Sequence, residues 1–232
     1  MSSPERIEGD ETSDRYFWKQ LMLRPEIFCR FYAFLFTPLC LAHSSWIGSI
    51  FPGEPGVHLK QTRLLAAAFK NLPHLRDMPM QAREMFSHRL MPIALLNEFE
   101  MEALSLLLGG IDMSQSIHNI IDSRHLSYVK SLFDERTWQI IMVAAPLLRI
   151  PSATHSRPVL WAADKDPSHT LKHRGNEILR SVCYGSEPIH AYLALRFPHE
   201  TERTIPSSTT LEGFILRVIK QWRPEWMKQF CF

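Results

Sequence analysis

The sequence predicts an all-α protein, an irregular array of many short amphipathic helices separated by prolines. Three observations predict it. Apolar residues recur mostly three or four apart, the period of one helix face. Sixteen prolines divide the 232 residues into short pieces. Asp, Ser or Thr, in places followed directly by Pro, stands at the head of several pieces as a helix start. The one weak strand candidate is Arg157 to Ala163, and Pro158 counts against it.

Residues 1–13 are polar and are expected to be a disordered leader. Residues 14–232 are then expected to form a single helical domain. Asp14 is positioned to cap a first helix carrying Tyr16, Phe17, Trp18, Leu21 and Met22, which stops before Pro25. Pro25 opens a second helix with Ile27, Phe28, Phe31, Phe34 and Leu35 on its apolar side. Residues 51–56 read as a Gly/Pro turn. A helix is expected from Leu59 to Asn71, then a loop bounded by Pro73 and Pro79. Gln81 to Leu108 is helical in pattern, interrupted or kinked at Pro92.

The stretch Leu104 to Trp138 is the most informative. It predicts an apolar helix closed by Gly109-Gly110, then three short helical segments, each announced by Asp or Ser. Ile117, Ile120, Ile121, Leu126, Val129, Leu132, Phe133 and Trp138 carry the apolar pattern. Pro146, Pro151 and Pro158 mark a long loop over 146–158, the place for any sub-boundary. Asp166-Pro167 starts a helix that Gly185 ends. Glu187-Pro188 starts another, ending near Phe197-Pro198. The last long helix has a Thr209/Glu212 capping-box pattern. Its stripe of Leu211, Phe214, Ile215, Val218, Ile219 and Trp222 should face the core, with Glu212, Arg217, Lys220 and Gln221 nearer solvent. Pro224 breaks it before one further turn.

Composition narrows the function classes. Apolar residues make up 45% and charged residues 22%, ordinary for a globular chain, and the net charge of +2 demands no polyanionic partner. Cys29, Cys40, Cys183 and Cys231 form no C-x-x-C pair and read as buried free thiols in a reducing compartment. The acidic N-terminal residues do not suit a secretory signal, and the apolar run Phe31 to Ala42 is too short to span a bilayer. A cytoplasmic location is expected.

Few residues suggest chemistry. His169 and His173 stand four apart on a predicted helix, a spacing that a metal site would use, but no Glu follows His169. Asp164 and Asp166 flank Lys165, yet Asp166 already serves as a helix cap before Pro167. A helix-turn-helix over residues 115–133 would expose only Arg124, His125 and Lys130 to nucleic acid. Phosphate loops and nucleophile elbows are absent from the sequence. No catalytic residue, metal or cofactor is expected. Trp222, Trp226, Phe230 and Phe232 form a C-terminal aromatic cluster. Trp222 lies on the buried stripe. Trp226, Phe230 and Phe232 suit either core packing or anchoring a partner, since aromatic rings supply large contact area.

With these residues in view, the chain resembles the SctK family (YscK- and PscK-like proteins), cytoplasmic components of bacterial type III secretion systems. The likeness lies first in Leu104 to Ile141, with its Leu-rich helix ending at Leu108-Gly109, Ile117 and Ile121, then Glu135, Trp138, Ile140 and Ile141. It lies second in Leu195-Arg196-Phe197-Pro198, a polar loop, and Leu211 to Phe230. A weaker likeness is Leu23-Arg24 to Phe31. Together these cover about half the chain; residues 40–80 and the polar leader do not align. The resemblance implies a helical, non-enzymatic adaptor of the sorting platform. Such a protein joins the cytoplasmic domain of the inner-membrane ring protein (SctD type) to the pod protein (SctQ type). It implies protein partners, no nucleic acid and no direct membrane insertion. The competing readings are a small helical metal-dependent hydrolase using His169 and His173, and a helical DNA-binding regulator using residues 115–133.

Overall fold

The computed structural model describes residues 16–36, 42, 82–144, 166–183, 185, 187–197 and 209–230. Among them the protein is helical and has no strand, so the all-α class holds. The expected leader, the helix over 59–71, the loop 146–158 and the strand candidate 157–163 lie outside the described residues.

Residues 16–22 are helical (α1), followed after a turn by α2 (Pro25–Phe36), which begins at the proline that suits a first helical position. The 81–108 region is three helices: α3 (Ala82–Phe86), α4 (Met91–Ala94) and α5 (Glu98–Asp112). Pro92 therefore starts a helix instead of kinking one. Its missing N–H costs nothing in a first turn, where that donor has no intrahelical acceptor. Asn97 caps α5 with a reciprocal box: its side chain accepts the Glu100 N–H at 2.9 Å, and the Asn97 N–H donates to Glu100 Oε2 at 2.7 Å.

Three short helices follow as expected: α6 (Ser114–His118), α7 (Ser123–Ser131) and α8 (Glu135–Gln139). The Asp122 side chain accepts from the Arg124 N–H, and that of Asp134 from the Thr137 N–H. A single π-turn, Ile140–Ala144, continues α8. Ile117 and Val129 are buried, whereas Ile121 is 99% exposed, because it falls in the non-helical connection between α6 and α7 and off the apolar face.

The remaining helices are α9 (Pro167–Ser181), α10 (Pro188–Ala194), α11 (Thr209–Trp222) and α12 (Pro224–Lys228). Asp166 caps α9, its Oδ1 accepting the Ser168 N–H at 3.0 Å. The α11 stripe packs as read for Leu211, Phe214, Ile215, Val218 and Ile219, while Trp222 is half-buried. Glu212 is the exception. It is buried and ion-paired with Arg89, so its carboxylate is held by the turn after α3 and does not face solvent. No helix among the described residues is long and apolar enough to cross a membrane.

The core is organised around the crossing of α5 and α9, the most extensive helix pair. Gly109 and Gly175 make it possible. A Cβ on Gly109 would lie 2.0 Å from the Leu171 carbonyl oxygen, and one on Gly175 would lie 1.6 Å from the Ser105 carbonyl oxygen. The two backbones touch, and only a residue without Cβ permits that approach. Ser105 reinforces the crossing by donating to Met101 O at 2.8 Å and meeting Asn176 Oδ1 at 2.6 Å. Gly109-Gly110 therefore does not close α5, which runs on to Asp112. Gly110 instead makes room for the Ile141 side chain. One continuous apolar cluster runs from Phe17 and Leu21 through α5 and α9 to Trp226.

Candidate functional site

Three places combine polar or exposed aromatic groups that packing alone does not require. The first is a charged junction built on the turn between α4 and α5. Met91 O and Ile93 O accept the Leu95 and Leu96 N–H groups, while the carbonyls of Pro92, Ala94, Leu95 and Leu96 are taken up by remote side chains. Arg30 of α2 donates to Leu95 O at 3.0 Å. Arg196, just past α10, donates to Ala94 O at 3.2 Å and to Leu96 O at 2.7 Å. The indole Nε1 of Trp226 donates to Pro92 O at 2.9 Å.

Glu100, in the first turn of α5, sits at the centre. Its Oε2 accepts from the Asn97 N–H and from Arg30 Nη1, and its Oε1 faces Arg223 Nη1 and Arg30 Nη2. Arg30 also reaches Glu26 at 2.5 Å. Burial pushes the Glu100 carboxyl upward, but the hydrogen bonds from Arg30 and Arg223 outweigh it and hold the pKa at about 2. The Arg30 and Arg223 guanidiniums also lie 4.9 and 5.8 Å from the centre of the Trp226 ring. Arg24 donates to Gln229 O, which ties the α1–α2 turn to the end of α12. Burial lowers Arg196 to about 10. Every charge at this junction is committed to a partner within the chain, so it fastens the two ends of the sequence to the middle.

This placement decides part of the C-terminal aromatic question. Trp226 is buried, with its edge bonded to Pro92 and its faces under two guanidiniums, and it offers no free surface for a partner. Phe230 is half-buried, stacked on Phe86 at 5.5 Å and edge-on to Trp226 at 5.2 Å. Phe232 lies outside the described residues.

The second place is a histidine–carboxylate cluster. The Leu90 N–H donates to His88 Nδ1 at 3.1 Å, so the neutral ring carries its proton on Nε2, which faces Glu187. His190 is buried and donates from Nδ1 to Val182 O at 2.5 Å, leaving Nε2 3.8 Å from the same carboxylate. The hydrogen bond from His88 holds the Glu187 carboxyl below its ordinary range. The nitrogen of His88 that faces the carboxylate has no lone pair to give, which suits a fastener between α3 and α10 better than a ligand set.

The third place is an exposed aromatic face on α1 and α2. Trp18, Phe28, Tyr32 and Phe36 follow one another as a ladder of ring contacts, 6.3, 6.1 and 4.6 Å apart. Tyr32 is 50% and Phe36 59% exposed, and Tyr16 and Met22 on α1 and Leu23 in the turn after it are exposed as well. Exposed apolar groups gathered like this mark interaction surfaces more often than isolated ones do.

The other sequence candidates fall elsewhere. The His169 and His173 rings lie 6.3 Å apart on the exposed side of α9, and among the described residues no group of three His, Cys, Asp or Glu is placed to hold a metal ion. Asp166 Oδ1 is occupied by the Ser168 N–H and the Tyr128 hydroxyl, while Asp164 lies outside the described residues. In the segment 115–133, Arg124 and Lys130 are exposed, but Lys130 stands 3.7 Å from Glu135 and Asp122 caps the helix, so the surface carries mixed charge. Cys29 is exposed, contrary to the buried-thiol reading, because it falls on the outer face of α2; Cys183 is buried as read, and Cys40 and Cys231 lie outside the described residues.

The charged junction was missed in the sequence. Its one local signal was Asn97-x-x-Glu100 ahead of an apolar run, a capping-box pattern. Nothing local marks Arg30, Arg196 or Arg223, which are about 70 to more than 120 residues from their partners. The chain matches no family model, no curated protein and no solved structure.

Proposed function

We propose that this chain is a non-enzymatic helical adaptor of a type III secretion sorting platform. It would link the cytoplasmic domain of an SctD-type ring protein to an SctQ-type pod protein, working at the cytoplasmic face of the inner membrane. The observation that carries the reading is the two-block resemblance, Leu104 to Ile141 and Leu195 to Phe230. Two features are compatible with it. Residues of both blocks enter one apolar cluster, as a rigid connector requires. The charged side chains around Glu100 and Glu187 are engaged within the chain, an arrangement suited to holding a body together.

Co-purification tests the proposal. The full chain is mixed with a ring-protein cytoplasmic domain and, separately, with a pod protein, and each mixture is resolved by size exclusion with light scattering. The reading expects a complex with both, and loss of secretion when the gene is deleted. Absence of both complexes together with intact secretion would remove it.

A further inference from the structure

We draw no further inference here: the strongest candidate, the exposed aromatic face of α2 where Tyr32 and Phe36 extend the ring ladder from Phe28, is an unpartnered apolar surface, and nothing in the structure shows what covers it.

Discussion

Replacing Gly175 by alanine adds one methyl group at the tightest glycine approach among the described residues. The new Cβ would lie 1.6 Å from the Ser105 carbonyl oxygen and 2.4 Å from its carbon, whereas ordinary contact begins at 3.4 Å. The obstacle is the backbone of α5, which cannot swing aside as a side chain does. Helices α5 and α9 must part by more than an ångström, and Leu104, Leu108, Leu171 and Ile178 lose contact across the gap. A radial gap of ~0.5–1 Å forfeits about a quarter to a half of the attraction in each affected contact. Overpacking of a core costs ~1–3 kcal/mol where side chains yield, so a backbone obstacle puts this site at the upper end or beyond. Alanine returns ~1 kcal/mol of helix propensity. The net expectation is a loss of roughly 2 kcal/mol or more, which is about 4–8 °C in Tm for a chain of this size. Gly213→Ala is the matched control. It makes the same chemical change inside α11, where a Cβ meets nothing within 4 Å. Only the propensity gain remains there, so Tm should rise by ~1–4 °C. Thermal unfolding followed by helical circular dichroism measures both. If Gly175→Ala melts at or above the wild type while Gly213→Ala behaves as expected, the backbones do not touch and the α5–α9 crossing is wrong.

Three further predictions follow from the structure, besides the co-purification. The lowered carboxyl of Glu100 contributes stability that is present above its ordinary value of 4.5 and is lost as pH falls toward about 2. Glu100→Gln should therefore be less stable at neutral pH and show a shallower fall in Tm between pH 4.5 and 2; an unchanged acid limb would place the stabilising charge elsewhere. Val218 is fully buried, so Val218→Asp puts an unpaired carboxylate in the core at a cost of several (~3–5) kcal/mol and should aggregate or unfold, whereas Lys220→Glu on the exposed side should keep the wild-type melting curve. Alkylation with iodoacetamide under native conditions, read by mass spectrometry, should modify Cys29 quickly and spare Cys183, whose thiol is buried and pushed well above the ordinary range. Equal modification of the two would mean that the α9–α10 region opens readily.

The exposed cysteine and the buried glutamate teach the same lesson. Cys29 and Glu212 were placed by their residue types and by the helical pattern, and both ended on the opposite side of the solvent boundary. Helical period sorts large apolar residues well, because one misplaced Leu or Phe leaves a great deal of surface exposed to water. It sorts small or charged residues poorly, since a thiol loses little in solvent and a carboxylate is tolerated inside once a guanidinium reaches it. Arg89 reaches Glu212 from more than a hundred residues away, beyond any local pattern.

Legible in the chain's own pattern were the all-α class, the helix starts at Pro25, Asp166 and Pro188, three short helical segments between Gly110 and Trp138, and the buried stripe of α11. Each depends on forces acting within a few residues: a fixed proline φ, a side-chain oxygen meeting a nearby N–H, and apolar groups recurring every three or four positions. Packing between distant segments is what makes Gly109 continue a helix instead of ending it, turns Trp226 inward, and gathers arginines from both ends of the chain on one carboxylate at position 100. A glycine is an equally good helix end and helix crossing until its neighbour is known. An aromatic ring is an equally good core residue and anchor until its polar edge finds a partner. In each case the deciding atom belongs to a distant segment, and its position is set by how the helices pack.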